Sequence, residues 1–454
     1  MDYFLIIVLS LWNPVIKVNS QNVFESQKIP FSLLNKLHIK SRPSRIEDFF
    51  FLNPRVLKKS VNWSLNNLYS TGCFEDIDVS FSADSETLYI TTKDLFTASL
   101  FLDFAYKGEL PRFGIGLEEH NLWGLLVNTG IYYTKDYDRV YGGGKVEIPA
   151  FLRPDIFTSL EFYKYKRGEN INFSFEKRPP FGIRNAYSFK YYSIEAPFYF
   201  YQRGEIIDSA VIKREDVEVF IGRNLKVEKT FIPYVGFLGV DGNIIPGLRL
   251  RYKYFSFVKT EMLRKLGSSE LVEEGLSIDV FLGKELSYRA QVKYSDYISS
   301  STAFFSMGFN AVKLGYEEIR ALLEIYKKIN YFCSSKFSLT SGRILKKRDR
   351  FYVYQLGGTN GLRGYRGFYF QGSKNLLSQF ELRFSLRQSL LDIVTPGMGF
   401  FIDAGYAGDV MNRLYFDGGF MFLLESFKQY GAPIGYASVA YNGKDWIFSV
   451  GILE

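Results

Sequence analysis

From about residue 96 to its end, the chain alternates apolar with polar residues at a period of two, segment after segment. Leu100, Leu102, Phe104 and Tyr106 alternate with Phe101, Asp103 and Ala105. Leu248, Leu250, Tyr252 and Tyr254 alternate with Arg249, Arg251 and Lys253. Leu276, Ile278, Val280 and Leu282 alternate with Ser277, Asp279 and Phe281. Trp446, Phe448, Val450 and Ile452 alternate with Ile447, Ser449 and Gly451. Successive side chains of a strand point to opposite faces, so each segment specifies a strand with one apolar face. A water-soluble sandwich would alternate in the same way, so the setting of the strands decides the fold class.

Three features of the setting favour a membrane barrel. The N-terminus reads MDYFLIIVLSLWNPVIKVNSQ, in which Phe4 to Trp12 is an apolar stretch of signal-peptide length. Val18-Asn19-Ser20 fits a small-residue cleavage site, although Asp2 replaces the usual basic residues before the apolar core. Residues 1–20 therefore read as a secretory signal; the competing reading is a buried N-terminal strand. Elsewhere no apolar run reaches the roughly 18 residues a helical span needs. The apolar faces are also rich in aromatics, 44 Phe and 33 Tyr among 454 residues, as interfacial girdles of outer-membrane barrels require. Lipid offers no hydrogen-bond partners, so an exported membrane protein without apolar helices should close its strands into a barrel. The expected fold is an all-β transmembrane barrel of roughly 16 antiparallel strands over residues 96–454.

Residues 22–95 have a different texture. Phe31 to Ile39 is a candidate strand. Between Pro54 and Tyr69, Leu57, Val61, Leu65 and Leu68 recur at helical spacing, and Gly72 suits the region just past a helix end. Phe74 to Phe81 and Thr87 to Thr92 follow as two short strands around the polar turn Ser82-Ala83-Asp84-Ser85. This helix, then LYSTGCFEDIDVSF and a second strand, resembles a polypeptide-transport-associated (POTRA) module. The resemblance implies a small α+β periplasmic unit that captures extended client chains by strand addition at a sheet edge. Phe74, Asp76, Asp78 and Phe81 would mark that edge.

The segment QLGGTNGLRGYRGFYFQGSKNLLSQFELRFSLRQ, Gln355 to Gln388, joins a glycine-rich loop to a strand. In that strand Phe380, Leu382, Phe384 and Leu386 face one way and Glu381, Arg383, Ser385 and Arg387 the other. Together with GMGFFIDAGYAGDV and with GIGLEEHNLWG (Gly114 to Gly124), it resembles the superfamily of outer-membrane assembly factors and two-partner secretion transporters, the bacterial surface-antigen barrels. The resemblance implies a loop folded back into the barrel lumen, with its Arg meeting acidic groups on the wall. Gly357, Gly358, Leu362, Arg363, Gly364 and Tyr365 align with the motif. Arg366-Gly367-Phe368 is left as a second triplet, with Arg366 the alternative anchor. Alternation turns Phe400, Ile402, Ala404 and Tyr406 to lipid and Asp403 inward, with Glu381 and Arg383 also inside. A guanidinium drawn into a confined lumen needs a carboxylate, and its planar fork suits one better than Lys would. Asp403 and Glu381 are the expected anchors.

Other chemistry finds little support in the residues. There is no G-x-S-x-G, H-E-x-x-H or P-loop, and the only histidines are His38 and His120. Gly142-Gly143-Gly144 reads as a turn. Cys73 and Cys333 lie too far apart in sequence to suggest a metal site. No enzyme activity, cofactor, metal or nucleic-acid partner is expected; the net charge of +8 permits contact with anionic lipid without requiring it. The resemblance implies insertion or translocation of unfolded outer-membrane or secreted polypeptides through a seam between Ser99–Tyr106 and Trp446–Ile452. Outer-membrane lipid and periplasmic accessory proteins would be further partners. Export of one specific passenger, or a passive porin, are the alternatives. The chain ends Gly-Ile-Leu-Glu, where such barrels usually end on an aromatic residue.

Overall fold

The computed structural model describes residues 14–453 apart from 24–31, 33–34, 37, 51, 53–56, 85, 108–109, 137–138, 152, 154, 178–183, 227–229, 262–265, 267–268, 300–302, 348–351, 359–360, 387–393, 411–412 and 427–433. The N-terminal part contains strand β1 (Val15–Gln21), helices α1 (Pro43–Glu47) and α2 (Leu57–Ser70), and strands β2 (Phe74–Phe81) and β3 (Thr87–Asp94). The three strands form one sheet in the order β1-β3-β2, with β1 parallel to β3 and β2 antiparallel to it. Leu68 of α2, Ile77 of β2 and Leu88 and Ile90 of β3 share its apolar core with Ile46 and Phe49.

Two expectations of the sequence fall in this region. Residues 1–13, which include the apolar stretch Phe4 to Trp12, lie outside the described residues. The expected cut after Ser20, however, falls inside β1, whose Val15 to Gln21 pair residue by residue with Thr87 to Lys93. The candidate strand Phe31 to Ile39 is not one: Ser32, Asn35 and Lys36 are helical and His38 to Lys40 are irregular.

The large sheet begins with β4 (Ala98–Lys107), β5 (Leu110–Glu119), β6 (Asn128–Asp136), β7 (Arg139–Ile148), β8 (Ile156–Tyr165) and β9 (Glu169–Lys177). It continues with β10 (Asn185–Gln202), β11 (Glu205–Arg223), β12 (Thr230–Val240), β13 (Asn243–Glu261), β14 (Ser269–Gly283), β15 (Tyr288–Ser299), β16 (Ala303–Lys313), β17 (Glu317–Lys328) and β18 (Cys333–Lys346). The next loop carries a short pair, β19 (Tyr354–Leu356) and β20 (Phe370–Gly372). Five strands finish the chain: β21 (Lys374–Ser385), β22 (Val394–Gly408), β23 (Tyr415–Ser426), β24 (Ile434–Tyr441) and β25 (Trp446–Leu453). Apart from β19 and β20, these are twenty strands of one antiparallel sheet, ordered so that β25 lies beside β4.

Twenty strands replace the sixteen expected because the connections are shorter than assumed. Arg203-Gly204 alone joins β10 to β11, and Asp241-Gly242 joins β12 to β13. All four residues have positive φ, the tight hairpin geometry that matches strand twist. Gly142-Gly143-Gly144 is not a turn but the middle of β7. A Cβ at Gly143 would lie 2.0 Å from the Phe162 carbonyl oxygen and 2.7 Å from the Tyr163 ring. The glycine lets the neighbouring strand and an aromatic ring cover the backbone.

The alternation sets which face is which. Phe400 and Ile402 are exposed on the outside, while Phe401 and Asp403 are buried inside. Leu248, Leu250 and Tyr254 likewise face out, with Arg249 buried between them. The inner wall of β9–β15 carries a charge network. Arg249 grips Asp279 with two donors at 2.6 Å each, and Arg289 reaches Glu218 at 2.5 Å. None of the described helices is long and apolar enough to cross a membrane.

The N-terminal unit docks on the β5–β6 connection. Asn121, fully buried, donates to Ile39 O and Ser41 Oγ at 3.0 Å each and accepts from the Leu126 amide at 2.9 Å. The Arg42 amide donates to Gly124 O, and Arg45 donates to Leu125 O and Ala150 O. Both histidines serve this junction. His38 meets Asp94 at 3.2 Å, and His120 meets Glu118 at 2.9 Å. Cys73 donates its thiol to His120 O at 3.2 Å, and burial pushes that thiol up to about 12, so it is a poor nucleophile. Asn121→Ala removes three buried hydrogen bonds at about 1–3 kcal/mol for each group left unsatisfied. The expected outcome is faster protease cleavage around residues 38–42 while the large sheet keeps its resistance to heat and detergent. Unchanged cleavage would mean that Asn121 does not hold the junction.

Candidate functional site

The loop between β18 and β21 folds back against the inner wall. Its ends pair as a small ribbon, Tyr354 with Gly372 and Leu356 with Phe370. The amides of Gly357 and Gly358 donate to Gly361 O and Tyr365 O. These bonds close the loop into a compact turn whose apolar residues Leu356, Leu362 and Phe370 pack with Leu377 and Ala407 of the wall. The hydroxyls of Tyr352 and Tyr354 both donate to Glu318 on β17. The glycines and aromatics of the sequence thus have separate tasks: the first shape the loop and the second seat it.

Arg363 stands at the loop's inner end. Its Nε donates to Asp403 Oδ2 at 2.8 Å and its Nη2 to Asp403 Oδ1 at 2.7 Å, a two-pronged grip. Its remaining arm, Nη1, donates to Glu381 Oε1 at 2.8 Å. Glu381 in turn accepts from Arg383 Nε at 2.8 Å and Nη2 at 2.5 Å. All four side chains are buried, so two cations and two carboxylates compensate one another directly. Arg363 is thus anchored to Asp403 and Glu381. Leu362, immediately before it, is fully buried at φ +56, a backbone conformation uncommon for a branched residue. The packing of Leu362 holds this turn and aims Arg363 at the wall.

Three participants escaped the sequence reading. Phe401 lies two residues before Asp403 on the same face, and its ring centroid is 3.7 Å from the Arg363 guanidinium carbon. The cation is therefore held by a π face as well as by oxygen. Parity would have found Phe401. Asp417 faces Asp403 directly across β22 and β23, which needs the register and not just the pattern. Asn442 donates from Nδ2 to Gly364 O at 2.8 Å. Asp417 and Asn442 explain the glycine after Arg363: a Cβ there would come 2.6 Å from Asp417 Cβ and 3.4 Å from Asn442 Cβ. Tyr365 packs edge-on against Phe370 and Tyr415.

The other candidate site lies in the N-terminal unit. Strand β2 has β3 on one side only, so it is an edge. Phe74 and Ile77 turn into the core, with Val79 and Phe81 packed against it; Asp78 is exposed. What this edge offers is therefore backbone. The Ile77 amide donates to the Tyr69 hydroxyl at 2.9 Å and not to β3. In an antiparallel pair the outward and inward residues alternate. Val79 and Phe81 then point their backbone groups to the free edge, while Asp78 points to β3. Burial pushes the Tyr69 phenol up to about 12, so it keeps its proton, and its cap on Ile77, at neutral pH.

No protein-family model and no curated protein matches the chain. Solved structures do. BamA from Haemophilus ducreyi lacking POTRA domains 1–3 is similar at 12% identity and a TM-score of 0.41, covering 96% of this chain and 84% of that one. CdiB from Acinetobacter baumannii is similar at 12% identity and 0.49, covering 96% and 74%. CdiB from Escherichia coli gives 11% and 0.49, covering 97% and 76%.

Removing the Arg363 side chain leaves a buried carboxylate without its fork. Arg363→Ala should cost about 3–5 kcal/mol, read as a lower urea midpoint for loss of the compact form on semi-native gels. Arg363→Lys should recover only part, since a single ammonium cannot make the two-pronged contact. Gly364→Ala keeps every charge yet puts a methyl into Asp417. It should also free the loop to protease between residues 357 and 372. A wild-type cleavage pattern in both Arg363→Ala and Gly364→Ala would refute the tether.

Proposed function

We propose that this chain is an outer-membrane barrel that inserts or translocates other polypeptides, with its N-terminal unit in the periplasm. The observation that carries the reading is the Arg363 fork. An arginine loop fastened by buried charges to β21 and β22 fills inner space that a passive pore would leave to solute. The fixed loop and the adjacency of β4 and β25 suit a machine that opens at one seam while the wall a few strands away, at β21 and β22, stays rigid. In this reading β4 and β25 close the barrel by pairing and part to present a strand edge to a client. Gly451 on β25 lacks a side chain to strengthen the pairing. The N-terminal unit has the strand and helix content of a POTRA module, and β2 supplies an edge at which an extended client would add as a fourth strand. No catalytic residue, cofactor or metal takes part.

The reading makes one prediction for each edge. A photo-crosslinking residue at Ser99 or at Phe448 should capture unfolded client chains during export, whereas one at Met307, on the outer face of β16, should not. Equal capture at all three positions, or none at the first two, would contradict the seam. Where the captured client ends, embedded in the membrane or outside it, distinguishes insertion from passenger export. At the second edge, Val79→Pro deletes an outward amide and leaves the β3 ladder intact. Capture by β2 should fall several-fold with circular dichroism unchanged; capture at the wild-type level would remove β2 as the edge.

A further inference from the structure

The second triplet, Arg366-Gly367-Phe368, takes no part in the tether, yet its ring is fixed. Phe368 stacks on Tyr201 with centroids 4.6 Å apart and planes 24° apart, and both residues are buried. The Tyr201 amide donates to Gln371 Oε1 at 3.2 Å. The hairpin tip beyond Tyr201 also packs on the triplet. Gly204 has φ +87, and a Cβ there would lie 3.1 Å from Arg366 Cβ and 3.4 Å from Gly367 O. Further along the hairpin, the Arg214 guanidinium lies over the Tyr352 ring at 5.5 Å.

These contacts join distant parts of the wall. Tyr201 belongs to β10 and the loop springs from β18 and β21; in the sheet order all of β11 to β18 stand between β10 and β21. Their meeting point lies across the barrel mouth and not along the wall. Neighbouring strands leave the hairpin free to reach it. β9 pairs with β10 only as far as Glu195, and β12 pairs with β11 only from Asp216 onward. Ala196–Gln202 and Glu205–Glu215 therefore run on as a two-stranded ribbon. Such a ribbon has little stability alone, so its position depends on what it rests against. A register shift between Phe200 and Tyr201 re-aims the Tyr201 ring. Phe368 itself has φ +58, rare for an aromatic residue and a sign that surrounding contacts hold it there.

We propose that the β10–β11 ribbon is a strap across the outer mouth of the barrel, and that the second triplet is its latch. The closed strap covers the tethered loop from outside. Breaking the Tyr201–Phe368 stack lets the ribbon swing away and opens the lumen outward, with the Arg363 fork intact. This device is independent of whether the chain inserts or exports its clients, because it concerns access to the lumen and not the seam.

The test is ionic conductance of the purified full chain in planar lipid bilayers. Tyr201→Ala and Phe368→Ala should each raise the open fraction by about twofold to tenfold, the range an aromatic pair controls. Tyr201→Phe, which keeps the ring, should stay closed. Cysteines at 201 and 368 bridged by a short bis-methanethiosulfonate reagent, which forms a disulfide at each cysteine with loss of sulfinate, should hold conductance at its minimum, and reduction of those disulfides should restore opening. Cys73 and Cys333 are replaced by alanine in this variant, so that the introduced pair holds its only thiols. Should an alanine variant fail to fold, the bridged and reduced forms of the cysteine pair still decide the matter. Equal conductance in bridged and reduced forms would overturn the proposal, as would alanine variants that conduct like wild type.

Discussion

A buried guanidinium cannot stand alone, and much of the inner wall is arranged around that constraint. Arg363 is buried, and its three donors end on Asp403 and Glu381. Moving any one of these groups strands a charge at a cost comparable to a sizeable part of a domain's stability. The pair therefore has one good arrangement and no cheap neighbours to it. A loop held by such a contact is located to within a hydrogen-bond length, and the wall it grips becomes the rigid side of the barrel. Charge compensation continues along β21 to Arg383 through Glu381, so β21 and β22 share the constraint.

The rest of the architecture follows from keeping that contact dry while the outer face remains apolar. Strand parity performs the separation. Along β22, outward Phe400 and Ile402 alternate with inward Phe401 and Asp403, which meet the loop. Glycine is used where the loop must touch the wall, as at Gly364. The N-terminal unit is joined by a different device: backbone and amide hydrogen bonds around Asn121 and the β5–β6 connection, with Leu126 and Ala150 packed into the unit's apolar core. The joint between unit and barrel thus combines directional polar contacts with apolar packing.

Much of this was legible in the sequence, and the reasons for the misses are physical. Period-two alternation and the lack of long apolar helices fixed the character of the sheet from residue 98 on. The inward direction of Glu381, Arg383 and Asp403 followed from parity alone, and Leu57–Ser70 and Phe74–Phe81 were readable from spacing and turn residues. The strand number was not, because two-residue hairpins and long connections leave the same local pattern. β1 was obscured because an apolar leader and an edge strand share composition, and its parallel partner β3 lies far along the chain. Asp417 and Tyr201 depend on register and on a contact across the mouth, and neither leaves a local signature. The triple glycine of β7 misled because glycine marks both turns and places where an aromatic ring covers a strand.

The most direct measurement of the account is a double-mutant cycle on Arg363 and Asp403. Arg363→Ala, Asp403→Ala and the double variant would each be unfolded in urea from lipid vesicles and compared with wild type. If the two residues stabilise the barrel through each other, the double variant should lose little more than either single one. The coupling energy would then reach about 2 kcal/mol or more, the upper part of the range seen for residues in contact. If the two losses simply add, Arg363 and Asp403 act independently, and the loop is not held to the wall by this pair.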